Sequence, residues 1–240
     1  MEAQLPRQLK ENIELFRTPE AVDEYSSYLL FPEEKKLFAK YYRPGESVLD
    51  LACGLGRTTL ILHEMGLQVR GVDLSDVFID VAKRRLPYLD FRAGSYTQIQ
   101  EPDCSFDHVM ISLNGIDYAY PESQREAAVR ECARVLKPGG TFIYSSHNLK
   151  SLHFFSPRYR YQILWKLRNS LKAFKDRAWV VEAGLHTLYT SREFVVRQTE
   201  QTGLRLLEIV WLPMIGNARL DRYFSPFYYY VFAKPSPAQD

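Results

Sequence analysis

A tight turn of small residues follows a short apolar run near the middle of the first hundred residues. Residues Ser47–Leu51 are apolar and β-rich, which predicts a buried strand. Gly54 and Gly56 then end the predicted strand in a tight turn, and a helical spacing of apolar residues begins at Thr58. A strand, a glycine turn and a helix N-terminus bring bare backbone N–H groups up to a ligand. The turn is therefore predicted to bind one.

A carboxylate ends the next predicted strand. Residues 68–72 favour a strand, and Asp73 follows it about 20 residues past the glycine turn, where an acid accepts hydrogen bonds from both hydroxyls of a ribose. A dinucleotide fingerprint requires a third glycine where Thr59 stands, because a pyrophosphate needs close backbone approach. The pattern thus predicts a ligand that contains a ribose and disfavours NAD.

Composition excludes several classes of protein. The 240 residues are 46% hydrophobic with a net charge of +2, which favours a folded core and disfavours a dedicated nucleic-acid binder. No stretch approaches the roughly 18 uninterrupted apolar residues of a membrane span, so we expect no transmembrane segment. The first ten residues are polar, so we expect no signal peptide. The three widely spaced cysteines indicate neither disulfides nor a metal site, so a reducing cytoplasm is expected.

Predicted strands alternate with predicted helices, which indicates parallel βαβ units and an α/β sheet covered on both faces. After residue 147 this alternation stops. Helices are predicted over 8–42 with breaks at Pro19 and Pro32, after a cap at Ser75, over 121–136 with Ala127 on the buried side, and from Thr190–Ser191. Further strands are predicted at 90–93, 107–112, 141–146, 204–211 and 228–232. Residues 137–140 are predicted to form a turn.

A basic amphipathic helix is predicted over 158–175. Its positive charges accompany one apolar stripe flanked by Trp165 and Phe174. Three interpretations stay open: a solvated face, a lid that attracts an acidic or lipid-like substrate, and a peripheral contact with an anionic membrane.

Four segments in order carry a family resemblance: Leu49–Arg57, Gly71–Ser75, Ser105–Val109 and Leu136–Gly140. With them the chain resembles the class I S-adenosylmethionine (SAM)-dependent methyltransferases of the small-molecule type. The resemblance implies a Rossmann-like seven-stranded sheet whose last strand is antiparallel, with helices on both faces and a helical lid. It divides the chain into a helical cap (1–44), a SAM-binding core (45–146), a lid or substrate insert (147–190) and the rest of the sheet (191–240).

The resemblance also implies where SAM binds. Ala52 replaces the commonest first glycine of the motif, and Ser95 replaces the usual acid at the adenine. The implied cofactor-binding residues are Asp50, Ala52, Cys53, Gly54, Gly56, Asp73, Leu74, Ser95, Tyr96, Leu113, Asn114 and Tyr28.

The expected reaction is methyl transfer to an O or N atom of a small molecule, acidic or lipid-like, by a monomer or a homodimer. If the acceptor must lose a proton, His147 at the end of strand five is the first candidate base and His186 the second. A non-catalytic SAM-binding module and an RNA methyltransferase are the alternatives. Ser112–Gly115 differs from the Asn-Pro-Pro-Tyr type of tetrad, which disfavours methylation of nucleic-acid amines.

Overall fold

The computed structural model describes residues 6–151, 176–182 and 184–236. Three helices precede the sheet, and prolines begin the second and third, as the sequence predicts. The Thr18 hydroxyl caps the second helix by accepting from the N–H of Ala21. These helices are α1 (Arg7–Leu15), α2 (Pro19–Ser26) and α3 (Pro32–Tyr41).

Seven strands form one sheet: β1 (Ser47–Leu51), β2 (Gln68–Asp73), β3 (Asp90–Ala93), β4 (Phe106–Ile111), β5 (Leu136–His147), β8 (Arg205–Trp211) and β9 (Phe227–Ala233). The order is β3-β2-β1-β4-β5-β9-β8, and the last strand runs antiparallel to both neighbours. The predicted α/β fold is confirmed. A separate hairpin joins β6 (Arg177–Glu182) to β7 (Leu185–Thr190).

Helices cover both faces of the sheet: α4 (Arg57–Glu64), α5 (Asp76–Arg85), α6 (Glu122–Val135) and α7 (Arg192–Glu200). Alternate residues of each strand face opposite cores. Val48 and Met110 join α3 on one face, whereas Leu49 and Val109 join α6 and α7 on the other. Strands buried on both faces explain the nearly continuous apolar runs in the sequence.

The structure differs from the sequence predictions in three places. Residues 137–140, predicted as a turn, lie within β5, where the register jumps between the pairs Phe106–Leu136 and His108–Thr141. Ala128 rather than Ala127 is buried on α6. A helix that periodicity missed, α8 (Ala218–Phe224), is capped by the side chain of Asn217.

The predicted basic helix over 158–175 lies outside the described residues. Over the ranges that the structure covers, no helix is both long and apolar enough to cross a membrane. The division of the chain into four segments stays a prediction.

Candidate functional site

A cleft lies at the carboxyl edge of the sheet, where β1, β2 and β4 end. The turns after these strands form one wall, and α1 and α2 form the other. The wall from the sheet contains Ala52–Leu55, Arg57, Thr58, Asp73–Ser75, Phe78, Tyr96, Ser112, Leu113, Gly115 and Tyr118, and the wall from the helices contains Leu9, Asn12, Ile13, Phe16 and Tyr25.

The turn after β1 has left-handed backbone at Ala52 (φ 51°), Gly54 (φ 56°) and Gly56 (φ 84°). Ala52, Cys53 and Gly54 line the cleft, whereas Gly56 is the N-cap of α4 and lies behind it. Burial raises the pKa of the Cys53 thiol well above its usual value, so this cysteine stays protonated.

Asp73 lies on the cleft wall at the end of β2. Its Oδ2 accepts from the N–H of Gly54 at 2.8 Å, and its Oδ1 accepts from the N–H of Ser75 at 2.8 Å. Burial raises the pKa of Asp73, and these backbone donors oppose that rise. The two bonds hold the carboxylate at the meeting point of the first two strand ends.

Asp50 lies behind the turn rather than on the cleft wall. Its Oδ2 accepts from the hydroxyls of Thr58 and Thr59, both at 2.6 Å. Burial raises the pKa of Asp50 to about 6. Its Oδ1 is buried and has no hydrogen-bond partner among the described residues. The carboxylate therefore acts on the turn through its charge, without direct contact with the cleft.

Of the two residues predicted to contact the adenine, one lines the cleft and the other does not. Tyr96 lines the cleft and its hydroxyl donates to the carbonyl of Gly115. The Ser95 hydroxyl lies 2.8 Å from that of Thr97 and accepts from the N–H of Thr97, so it closes a local turn instead of facing the cleft. Leu74 lines the cleft next to Asp73.

The turn after β4 is left-handed at Leu113 (φ 45°) and Asn114 (φ 58°). Leu113 lines the cleft, whereas Asn114 is buried beside it. Gly115 packs against the turn after β1: a Cβ added to it would lie 2.7 Å from the Cβ of Ala52. The two turns are therefore in direct contact.

Tyr25, not Tyr28, lines the cleft. The Tyr28 ring is 39% exposed, packs edge-on against Tyr25 and donates its hydroxyl proton to Glu24. Phe16 of the preceding loop completes an aromatic wall with Tyr25 and Tyr118. The predicted contact of Tyr28 with SAM would therefore be indirect, through Tyr25.

Arg57 is a cation on the cleft wall whose charge is already paired. Its two terminal nitrogens each lie 2.7 Å from a different oxygen of the fully buried Glu34. It also donates to the Ser112 hydroxyl at 2.8 Å. Glu34 caps α3 by accepting from the N–H of Phe31. This bidentate pair joins the helical cap to the glycine turn.

The two histidines predicted as bases have different surroundings. His147 ends β5 beside the turn after β4, and its ring Nδ1 lies 2.9 Å from the buried carboxylate of Asp117. His186 lies on β7, where its Nε2 pairs with Glu11 at 2.9 Å while its backbone exchanges hydrogen bonds with the Asn12 side chain. His186 thus attaches α1 to the hairpin. Neither histidine is among the residues that line the cleft.

Sequence reasoning missed several residues of the site. Asp117 lies just beyond β4 at the carboxyl edge of the sheet, a position that could have marked it. Arg57 directly follows the glycine turn. Asn12 and Phe16 carry no local signal, because they reach the cleft only through the packing of α1 on β7.

A family model described as "Methyltransferase domain" matches residues 48–140, which span the glycine turn, Asp73 and the turn after β4. Residues 48–140 are thus similar to the methyltransferase domain of SAM-dependent methyltransferases. A probable S-adenosylmethionine-dependent methyltransferase of Mycolicibacterium smegmatis is 32% identical over 104 residues, which are 43% of this chain and 39% of that protein. A demethylmenaquinone methyltransferase of Beutenbergia cavernae is 41% identical over 101 residues, 42% of this chain and 40% of that protein. The chain thus spans about two fifths of the length of these relatives.

Solved methyltransferases share the fold over almost the whole chain. A SAM-dependent methyltransferase from Methanosarcina mazei superposes with a TM-score of 0.68 at 15% identity, covering 88% of this chain and 100% of that one. The 1,6-didemethyltoxoflavin-N1-methyltransferase of Burkholderia thailandensis, solved with S-adenosylhomocysteine bound, gives a TM-score of 0.67 at 14% identity and covers 98% and 94% of the two chains. At these identities the likeness concerns the fold. SAM is the cofactor of the family.

Proposed function

We propose that this chain transfers the methyl group of SAM to an O or N atom of a neutral, apolar small molecule. The observation that carries the proposal is the position of Asp73, which shares the cleft wall with the bare backbone of Ala52–Leu55. A carboxylate beside exposed backbone suits a ribose attached to an amino-acid chain.

The side chains present fit SAM. The Asp73 carboxylate has acceptor capacity beyond its bonds to Gly54 and Ser75, and would hold the ribose hydroxyls. Leu74 and Tyr96 would flank the adenine. The charge of Asp50 behind the turn favours a cation near Ala52–Leu55 and opposes a phosphate, which supports SAM over a dinucleotide. Bound there, SAM supplies a methyl group on a sulfonium, which is already activated for transfer.

The helix wall of the cleft supports an apolar acceptor. Leu9, Ile13 and Phe16 line the helix wall, and Tyr118 lies on the sheet wall in contact with Phe16. Among the described residues that line the cleft, Arg57 is the cation, and Glu34 neutralises it. A carboxylate or phosphate on the acceptor would lose its hydration without gaining a free positive partner. We therefore propose a neutral acceptor rather than the acidic one that the basic segment suggested.

Holding the acceptor in line with the methyl group is the main task of the protein, since a well-positioned reaction gains up to about 7–11 kcal/mol from orientation alone. The turns after β1 and β4 pack against each other in this wall. His147, at the end of β5, is the residue we assign to take a proton from an acceptor hydroxyl or amine.

Isothermal titration of SAM onto the full chain tests the cofactor site. Asp73→Asn removes a charged acceptor of hydrogen bonds, worth about 3 kcal/mol, so SAM should bind about 100-fold more weakly. Asp80→Asn, on the exposed surface of α5, is the matched control and should leave SAM affinity unchanged. Equal affinity of the Asp73 variant and the wild type would refute the assignment of the site.

Formation of S-adenosylhomocysteine with a panel of acceptors tests the reaction. The panel should pair neutral aromatic hydroxyls and amines with their carboxylated analogues, and include the acceptors that relatives' names give, demethylmenaquinone and malonyl-[acyl-carrier protein]. Neutral members should react faster than their charged analogues. Faster turnover of the charged members would overturn the acceptor class, and tight SAM binding without any turnover would favour a non-catalytic SAM-binding module.

A further inference from the structure

Asp117 is a fully buried acid that the SAM site does not use. It lies in the single 3₁₀ turn Gly115–Tyr118 that follows β4. Its Oδ2 accepts two hydrogen bonds from one residue: from the backbone N–H of His147 at 2.7 Å and from the ring Nδ1 of His147 at 2.9 Å. One carboxylate oxygen thus sets both the backbone position and the ring orientation of this histidine.

The second oxygen of Asp117 is held just as firmly. Its Oδ1 accepts from Nη1 of Arg125 at 2.5 Å and from the hydroxyl of Ser146 at 2.8 Å. Arg125 is itself fully buried, and its Nε donates to Gln198 of α7 at 2.9 Å. Arg125 and Asp117 thus form an ion pair whose two side chains are both fully buried. Burial of an ion pair costs desolvation free energy, so an apolar pair of similar volume would stabilise the core equally well. What the ion pair adds is the orientation of His147.

The contacts of His147 define its tautomer. An ionised carboxylate only accepts hydrogen bonds, so Nδ1 must carry the proton that it donates to Asp117. Nε2 then carries a lone pair and can accept a hydrogen bond from the amide Nδ2 of Asn114, which lies 3.3 Å away. The other groups around the ring are Tyr189 of β7, at 4.7 Å between ring centroids, and uncharged Phe227, its pairing partner on β9. The His147 side chain is 19% exposed, and through Asn114 it adjoins Leu113 of the cleft wall.

We propose that Asp117 is the positioning residue that makes His147 a base, by fixing the tautomer with Nδ1 protonated and by balancing the charge of the imidazolium. This inference rests on the proposed function. As the bond between the acceptor atom and the methyl carbon forms, the carbon–sulfur bond breaks and its electron pair stays on sulfur. The acceptor's proton passes to Nε2, and the resulting imidazolium is paired with Asp117.

Kinetics of Asp117→Asn test the proposal. Since the amide presents N–H groups where His147 now finds only an acceptor, the ring should turn to the other tautomer, and kcat should fall about 100-fold while the SAM dissociation constant stays unchanged. The pH profile of kcat should also differ from that of the wild type, because the imidazolium loses its carboxylate partner. A variant with wild-type kcat and pH profile would overturn the proposal.

A double variant separates positioning from a merely structural role. If Asp117 acts through His147, Asp117→Asn should cost almost nothing further in the His147→Gln background. Two losses that multiply would show that Asp117 acts on its own and would refute the proposal.

Nitrogen-15 NMR of the histidine rings in the full chain without ligand is a readout that needs no turnover. Subtraction of the His147→Gln spectrum assigns the ring. The wild type should show protonated Nδ1 and unprotonated Nε2 at pH 8, and a protonated Nε2 there would overturn the proposal even if Asp117→Asn fails to fold. Absence of methyl transfer with the expected tautomer would instead count against the proposed function.

Discussion

The contact between the turns after β1 and β4 leads to a prediction that the geometry makes quantitative. Gly115→Ala would place a Cβ 2.7 Å from the Cβ of Ala52 and 3.2 Å from Cγ2 of Ile111. Two carbon atoms cannot stay that close, so the turns must separate by about 0.7 Å. Overpacking of this kind costs about 2 kcal/mol, which for a chain of this size lowers the melting temperature by about 6 °C.

Removal of the opposing methyl group should reverse the effect. Ala52→Gly deletes the Cβ that Gly115→Ala would meet, and it also relieves the left-handed backbone at Ala52 (φ 51°), which costs a residue with a side chain about 1 kcal/mol. The double variant should therefore recover most of the stability and of the SAM affinity, with a coupling energy of about 1–2 kcal/mol between the two sites.

Thermal unfolding and SAM titration of the wild type, both single variants and the double variant complete the cycle. Because both turns line the cleft, the SAM dissociation constant of Gly115→Ala should rise about tenfold and return toward the wild-type value in the double variant. Strictly additive effects would refute the reasoning, since they would mean that the two residues do not meet.

Three further predictions concern charge and packing around the sheet edge. Burial raises the pKa of Asp50 to about 6, so the contribution of Asp50 to stability is present below about pH 4 and is lost as the pH rises through 6. Titration of SAM at pH values from 5 to 8 should show SAM affinity rising as Asp50 ionises. Asp50→Asn should flatten that rise. Hydrogen bonds from Ser47 and Lys137 lower the pKa of Asp107 to about 2, although burial raises it. The stabilisation from Asp107 is therefore present above about pH 4 and is lost between pH 4 and 2. Acid unfolding of Asp107→Asn should lack this pH-dependent loss. Gly140→Ala would place a Cβ 2.3 Å from the carbonyl oxygen of Asp107, so chemical denaturation should show a loss of about 3 kcal/mol or more, and a smaller loss would mean that β5 can shift its register.

Features that depend on neighbouring residues were predictable from the sequence. The helix starts at Thr18, Ser75 and Ser191 are such features, because each cap is a hydroxyl that accepts from an N–H three residues later. The fully buried strands show the same local character in their apolar runs. The spacing of the glycine turn and Asp73 likewise indicated a nucleoside pocket before any coordinates were known.

Contacts between distant segments could not be predicted in this way. The pair Arg57–Glu34 joins residues 23 positions apart, and the bond between Asp117 and His147 spans 30. Whether Tyr25 or Tyr28 faces the cleft depends on how α2 packs. Each histidine lies beside a carboxylate distant in sequence, Asp117 for His147 and Glu11 for His186.

The sequence by itself determined most strands and helices of the sheet, the glycine turn after β1 and the acid that ends β2, since each arises from dihedral preferences and polarity within a few residues. Only the tertiary structure decided which charges are neutralised and which carboxylate lies beside each histidine. Those properties arise from side chains that burial brings together, where loss of water makes each charge depend on its immediate partner.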